Sequence, residues 1–221
     1  MSQLKIDLNL FTNCTKNHSG DASLIANTYY SFVTTFGLCN IENLRVFIDP
    51  EPSRENLSTY IDSILAAIKF PRSIDVITTN GLADGYIKSV NMGDSEYIFQ
   101  LEHDWEFLPT IRHDLSFLTQ CMSAASMDHL RLNKRTNINK TNERLQELSV
   151  YGWPFCETQQ RSNNPHIIKR SVYKEKYCDY MDLSNTPKRA DGVENKLIGQ
   201  KGYIYGGKMY PQAIRHTDGR S

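Results

Sequence analysis

The segment Tyr97–Leu108 holds the densest group of side chains that could take part in chemistry. An apolar run at Tyr97–Leu101 is followed directly by Glu102, His103 and Asp104. Because side chains alternate along an extended chain, Glu102 and Asp104 would point to one side and His103 to the other. Two carboxylates at a strand end can hold Mg²⁺ or Mn²⁺, which favour oxygen ligands and often keep substrate phosphates in their coordination shell. The local pattern equally allows a solvated acidic edge, and both interpretations stay open.

Polar residues also end three other segments with strand-like sequence. They are Thr12-Asn13 at the start of a predicted loop, Asp49, and Asn80. In open α/β sheets, ligands bind outside the carboxyl ends of the parallel strands, where the loops that follow these strands converge. The four polar strand ends together therefore predict a ligand site at one edge of a sheet.

The elements that must position these residues alternate between strand and helix patterns in the first half of the chain. Apolar residues at helical spacing predict the helices, and alternating or β-rich runs predict the strands. Strands that alternate with crossover helices indicate an α/β fold with a mostly parallel central sheet flanked by helices. The predicted strands are Leu4–Phe11, Leu44–Ile48, Ile74–Thr78 and Tyr97–Leu101; the predicted helices end at Phe36, cover Arg54–Phe70 and cover Gly81–Asn91.

The second half of the chain is predicted to be rich in loops around a few helices and strands. A helix is predicted over Thr110–Met127, a strand over His129–Leu132 and a short helix near Leu145–Leu148. Proline and asparagine interrupt much of the remainder. The length of 221 residues suits a single domain, within which residues 1–108 and 109–221 form two halves.

The order of these features resembles that of the GT-A glycosyltransferases. The resemblance covers most of the chain and rests on Thr12-Asn13, on Asp49, on the helix Asn80–Val90 and on Glu102-His103-Asp104, where the family commonly has D-x-D and this sequence has E-H-D. It implies a GT-A-like single domain of a short relative, viral or bacterial. Residues 1–108 would bind the nucleotide, and residues 109–221 would form a loop-rich acceptor side.

The resemblance also implies roles for individual residues in the first half. Asp104 would be a ligand of Mn²⁺ or Mg²⁺, with Glu102 next to the metal, to a water bound to it or to the donor ribose. The donor would be a nucleotide-sugar such as a UDP- or GDP-sugar. Its pocket would include Thr12, Asn13, Asp49, Asn80, Asp84, Glu102 and His103.

Two motifs of the second half match further family features. Glu194, at the start of a helix-like segment, resembles the base that deprotonates the acceptor hydroxyl in inverting members, with Asp191 as the second choice. The helix macrodipole alone would also favour an acid there. His216 resembles a late histidine that ligates the metal, and Arg215 could hold the diphosphate. A frayed terminus is the alternative for these last two residues.

Composition limits the classes of partner. Lys+Arg and Asp+Glu are equal at 25 each, so the chain has a formal net charge of +0, whereas a dedicated nucleic-acid binder usually has a basic excess. No nucleic-acid partner is therefore expected. No apolar run approaches the roughly 20 residues that span a bilayer, and the N-terminus does not resemble a signal peptide. A cytoplasmic location follows as an expectation, in the host cytoplasm if the protein is viral.

The sequence therefore predicts a metal-dependent glycosyltransferase that moves a sugar from a nucleotide-diphosphate donor to an acceptor hydroxyl of a glycan or another molecule, with inversion. One alternative is a nucleotidyltransferase of similar fold, although such enzymes commonly have a glycine-rich loop after the first strand, and no glycine precedes Gly20 here. The other alternative is a non-catalytic module that binds carbohydrate or nucleic acid.

Overall fold

A computed structural model describes residues 5–14, 21–50, 55–141, 143–160, 162–176, 178 and 201–217. A nine-stranded sheet is its main feature, together with a two-stranded ribbon. The strands of the large sheet are β1 (Ile6–Cys14), β2 (Ile41–Pro50), β3 (Ile74–Thr78), β4 (Tyr97–Glu102), β6 (His129–Arg131), β7 (Gln146–Val150), β8 (Trp153–Thr158), β9 (His166–Lys169) and β10 (Gly202–Tyr205); the ribbon consists of β5 (Trp105–Phe107) and β11 (Ile214–His216).

Five helices connect or cover these strands in the described part of the chain. They are α1 (Ser23–Phe36), α2 (Leu57–Ala67), α3 (Leu82–Asn91), α4 (Leu115–Ala124) and α5 (Arg170–Lys176). None of the described helices is both long enough and apolar enough to cross a membrane.

The order of strands in the sheet is β3-β2-β1-β4-β9-β6-β10-β8-β7. The first four strands of the sequence pair in parallel, as the alternation of strands and helices predicts. Only β9 and β8 run against the common direction, because β9 is antiparallel to β4 and β6, and β8 is antiparallel to β10 and β7. The fold is thus a mixed α/β sheet in which the carboxyl ends of β1, β2, β3, β4, β6 and β10 meet at one edge.

Alternate residues of each strand pack on opposite faces of the sheet, which explains why the strands are apolar almost throughout. One face, called the α1 face, buries Leu10 and Phe99 with α1, α2 and α4. The other, called the α3 face, buries Phe11 and Ile98 with α3 and α5. Both faces of the central strands are therefore covered, and a ligand could bind at the polar edge formed by the carboxyl ends of the parallel strands.

Two sequence predictions differ from the structure. Thr12 and Asn13 belong to β1, where they pair with β2, and do not begin a loop. The helix predicted near Leu145–Leu148 is wrong, because this segment forms β7 of a hairpin with β8. Tyr151 and Gly152 have φ values of 51° and 79°, and positive φ at both central residues gives the turn that matches the twist of a hairpin.

The alternative of a frayed C-terminus does not hold for residues 214–216, which form β11. Ile214 and His216 pair with Phe107 and Trp105 in the ribbon. The strand β10, which the sequence did not predict, lies inside the large sheet between β6 and β8. Long-range pairing of this kind has no local sequence signal, because Ile214 pairs with a residue 107 positions earlier in β5 and Tyr203 with one 73 positions earlier in β6.

Candidate active site

Polar side chains from β1, β2 and the β3–α3 turn meet at the carboxyl edge of the sheet. Asn13 and Asp49 are register partners on β1 and β2, so they point to the same face. The Oδ1 atom of Asn13 is buried and accepts no hydrogen bond from any described residue. A buried acceptor without a partner is costly, since it has lost its hydrogen bonds to water. Asn13 is therefore well suited to receive an N–H or O–H group of a ligand.

Asp49 organises the turn that leads into α3. Its Oδ1 atom accepts the N–H of Gly81 at 2.9 Å, and Asp84 Oδ2 accepts the N–H of Asn80 at 2.9 Å. Gly81 has a φ of 90°, a conformation that glycine adopts at little cost. Asp84 also forms an ion pair with Lys88 at 2.7 Å, so its side chain mainly stabilises the start of the helix.

The electrostatics of this turn affect the ionisation of Asp49. Partial burial raises the pKa of its carboxyl group above the ordinary value, because the charged form loses hydration. The hydrogen bond from Gly81 lowers the pKa again, and the neighbouring Asp84 carboxylate raises it. Asp49 thus presents a carboxylate oxygen that is not well solvated, which is a favourable state for binding a hydroxyl or N–H donor.

The acidic run after β4 is bent and not extended. Strand β4 ends at Glu102, and residues 103–104 form a turn before β5 begins at Trp105. The alternating side-chain directions predicted for Glu102, His103 and Asp104 therefore apply only as far as Glu102. His103 is fixed by its main chain, since its carbonyl accepts the Thr28 hydroxyl at 2.6 Å, and its Nδ1 atom lies 3.2 Å from the carbonyl of Phe11.

The turn places Asp104 beside His216, as the sequence predicts for a pair of metal ligands. Asp104 Oδ2 lies 3.3 Å from His216 Nδ1, and Asp104 is only 4% exposed. The imidazole of His216 also packs on Trp105, with ring centroids 3.7 Å apart. In addition, Thr217 N–H donates to the Asp104 carbonyl at 2.9 Å. The ribbon of β5 and β11 thus fixes the carboxylate and the imidazole together.

The described side chains do not form a complete cage for a metal ion. No three His, Cys, Asp or Glu side chains among the described residues are grouped closely enough to hold one. Glu102 is therefore not brought together with Asp104 and His216 as a third ligand, because it ends the strand and Asp104 lies in the turn. An aspartate and a histidine alone suit an ion that takes its remaining ligands from a substrate phosphate and water.

Two other predicted site residues are directed elsewhere. Thr12 is 5% exposed, and its hydroxyl lies 2.7 Å from the Tyr60 hydroxyl of α2, on the face opposite Asn13. Because side chains alternate along β1, the structure does not bring Thr12 together with Asn13 and Asp49. Arg215 forms an ion pair with Glu106 and neighbours His216 on β11, so the two side chains point to opposite sides of the ribbon. Its predicted place at the diphosphate is not supported by this geometry.

The predicted bases Glu194 and Asp191 lie outside the described residues. Trp105 supports the imidazole of His216, a role that the sequence did not indicate because it depends on the pairing of β5 with β11. The one local signal for this role is that Trp105 is aromatic and directly follows the acidic run Glu102-His103-Asp104.

The parallel first half, the reversed strand β9 beside β4 and the acidic turn after β4 make this a GT-A-like fold. Residues 1–349 of S. aureus TarS have a similar structure, with a TM-score of 0.56 and 9% identity, over 96% of this chain and 60% of that chain. S. aureus TarS in complex with UDP gives a TM-score of 0.54 and 11% identity, over 92% of this chain and 59% of that chain. This chain thus spans about three fifths of the TarS chains that it resembles.

A second kind of structure has the same fold. UDP-glucose pyrophosphorylase complexed with UDP-glucose gives a TM-score of 0.51 and 10% identity, over 92% of this chain and 91% of that chain. No family model matches the sequence, and no curated protein matches it. At such low identities the likeness establishes the fold, which is one that binds UDP in TarS and UDP-glucose in the pyrophosphorylase.

Proposed function

We propose that this protein is a glycosyltransferase that uses a nucleotide-diphosphate sugar and a divalent metal ion. The observation that carries the proposal is the 3.3 Å pair of Asp104 and His216 at the same sheet edge as the buried Oδ1 atom of Asn13 and the half-buried carboxylate of Asp49. Asn13 and Asp49 would bind the nucleoside, and Asp104 and His216 would hold Mn²⁺ or Mg²⁺. When bound, the ion would neutralise charge on the diphosphate leaving group.

The transfer exchanges one bond to the anomeric carbon for another. The bond from this carbon to the diphosphate oxygen breaks, and its electron pair leaves with the nucleoside diphosphate. A bond forms from the carbon to the oxygen of the acceptor hydroxyl, whose proton goes to a base. Glu194, with Asp191 as the alternative, stays our prediction for that base, and a base opposite the leaving group would invert the anomeric centre.

The donor site is tested by titrating the full chain with UDP and with GDP in a calorimeter, in Mn²⁺ and then in EDTA. We expect one of the two nucleotides to bind, and we expect EDTA to abolish binding. Asp104→Asn keeps the shape of the side chain but removes its charge, so it should weaken binding at least about tenfold, as loss of even an outer partner of a metal ligand does.

The matched control is Asp62→Asn, which removes a carboxylate from the exposed surface of α2. It should leave nucleotide affinity unchanged. The proposal is wrong if Asp104→Asn binds the nucleotide with the same affinity and the same metal dependence as the unmodified protein. Binding that ignores EDTA in both proteins would favour a non-catalytic binding module.

A nucleotidyltransferase is the second candidate, and one observation favours it. The likeness to UDP-glucose pyrophosphorylase spans nearly the whole of both chains, whereas TarS is longer than this chain. A nucleotidyltransferase would join a nucleoside triphosphate to a sugar phosphate and release pyrophosphate. No glycine occurs from Thr12, near the end of β1, until Gly20, which argues against the usual triphosphate loop.

A further inference from the structure

A polar cavity of about 260 Å³ lies on the α3 face of the sheet, and Asp104 is not among the residues that line it. Arg131 of β6 and Ile204 of β10 are adjacent in the sheet and line it. The segment after β6 and the segment between β8 and β9 form its walls. The volume is close to the lower end of ligand pockets, about 300–1,000 Å³, so it suits a ligand of monosaccharide size.

The lining of the cavity is basic although the whole chain is neutral. Four of its side chains are cationic, namely Arg131, Lys134, Arg135 and Lys140, and Glu143 is its one acidic side chain. Glu143 pairs with Arg131 at 2.7 Å and lies 3.7 Å from Lys140. The formal excess of three positive charges favours an anion with more than one negative charge. A phosphate monoester, with a charge of about −1.5 to −2 at neutral pH, meets this requirement better than a carboxylate.

Buried amides hold the basic segment in a fixed shape. Asn137 Nδ2 donates to the carbonyls of Tyr205, Gly206 and Gly207 at 3.0–3.2 Å. Asn133 Nδ2 donates to the carbonyls of Arg135 and Pro211 at 2.9 and 2.8 Å. The cavity is therefore built into the fold by main-chain contacts and is not a chance gap between surface side chains.

One atom of this framework indicates a second property of the ligand. Asn133 lines the cavity and is 4% exposed, and its Oδ1 atom is buried without a hydrogen-bond donor among the described residues. The amide nitrogen already donates to two carbonyls, so a flip of the amide that exchanged its oxygen and nitrogen would break both hydrogen bonds. The dianion of a phosphate monoester has no proton to donate, whereas a hydroxyl group does.

We propose that this cavity binds a small phosphate ester that also carries hydroxyl groups, such as a monosaccharide phosphate. The cationic side chains bind the phosphate, and Asn133 accepts from a hydroxyl. Two strand spacings separate β4 from β6, which is about 10 Å. The ester therefore lies close enough to the donor edge to serve as the acceptor. This last assignment rests on the proposed function, whereas the binding itself does not.

The experiment titrates the full chain with glucose 6-phosphate in a calorimeter, without nucleotide or metal. Glucose and inorganic phosphate are titrated in parallel. We expect glucose 6-phosphate to bind more tightly than either. Lys134→Met retains the aliphatic stem and removes one charge, so it should weaken this binding about tenfold, as loss of a charge-assisted hydrogen bond does. Lys69→Met, at an exposed site after α2, is the control and should bind like the unmodified chain.

The outcomes separate the cavity from the donor site. Asp104→Asn should bind glucose 6-phosphate normally, since Asp104 does not line the cavity. Equal affinity for inorganic phosphate and for the ester would overturn the proposal, because the site would then recognise only an adventitious ion. No binding of the ester, or binding unaffected by Lys134→Met, would overturn it as well, and metal-dependent binding of UDP would leave the donor proposal intact.

Discussion

The carboxylate of Asp49 is half-buried at the sheet edge, where it accepts the Gly81 N–H and lies near Asp84. Burial raises its pKa, so the folded protein binds the Asp49 proton more tightly than the unfolded chain does. The charge of Asp49 therefore lowers stability at neutral pH. A charged residue that lowers stability and lies beside a buried oxygen without a hydrogen-bond donor, here Asn13 Oδ1, is typical of a ligand-binding site.

We predict that Asp49→Asn raises the melting temperature slightly at neutral pH and weakens nucleotide binding about tenfold, the effect of losing one hydrogen bond to a charged group. The amide oxygen can still accept the Gly81 N–H. The gain in stability should be largest above the raised pKa and should vanish as the pH falls below the ordinary value of 3.8. Thermal unfolding across pH measures it. Asp62→Asn is the control, and a melting temperature lowered by Asp49→Asn would contradict the prediction.

At the scale of elements, Arg170 at the start of α5 joins this helix to β1 and to the end of α3. Its guanidinium donates to the carbonyls of Ser95, Val90 and Met92 at 2.6–2.8 Å. It also pairs with Asp7, which is fully buried and which pairs with Arg45 as well. The Asp7 carboxylate is thus held by two guanidinium groups. The positions of α3 and α5 both depend on this cluster of Asp7, Arg45 and Arg170.

Arg170→Lys should therefore destabilise the protein by about 2–4 kcal/mol, because lysine keeps the charge but cannot donate in four directions from a planar group. The control is Lys176→Ala at the other end of α5, which breaks an exposed ion pair with Asp128 and should cost less than about 1 kcal/mol. Unfolding in urea gives both values. Equal losses for the two variants would show that the Arg170 cluster does not anchor α5.

At the scale of the whole molecule, the proposed donor edge draws on both halves of the chain, whereas the basic cavity is lined by the second half alone. The donor edge takes Asp104 from the first half and His216 from the last few residues, joined by the β5–β11 ribbon. The basic cavity takes its lining from residues on either side of β7 and β8 and from β10. The proposed donor edge therefore does not lie within residues 1–108 alone.

The complete chain should release UDP or GDP from a nucleotide-sugar when a phosphorylated acceptor is present. It should not release pyrophosphate from UTP and glucose 1-phosphate. The reason is the segment after β1, in which no glycine precedes Gly20, whereas a triphosphate loop uses glycines directly after the strand to bring main-chain N–H groups to the phosphates. Coupled assays for each product, with Asp104→Asn as the control, distinguish the two activities. Pyrophosphate release that Asp104→Asn abolishes would identify a nucleotidyltransferase.

Local patterns in the sequence determined the elements of the first half. The predicted strand Ile74–Thr78 has the observed bounds, and Tyr97–Leu101 differs from β4 by one residue. Their apolar runs and the helical spacing between them reflect burial on both faces of a parallel sheet. The same logic placed Asn13, Asp49, Asn80 and Asp104 at one edge, since the carboxyl ends of parallel strands coincide.

Only the tertiary structure decided which of these side chains meet. Thr12 and Asn13 are neighbours in sequence, yet the pleat of β1 sends Thr12 to Tyr60 and leaves Asn13 at the edge. Asp104 meets His216 because β11 pairs with β5 across more than a hundred residues, and Asn133 reaches the carbonyl of Pro211, 78 residues further along the chain, through a side-chain hydrogen bond. Composition and periodicity report burial along the chain, whereas contacts between distant strands depend on the register of the folded sheet.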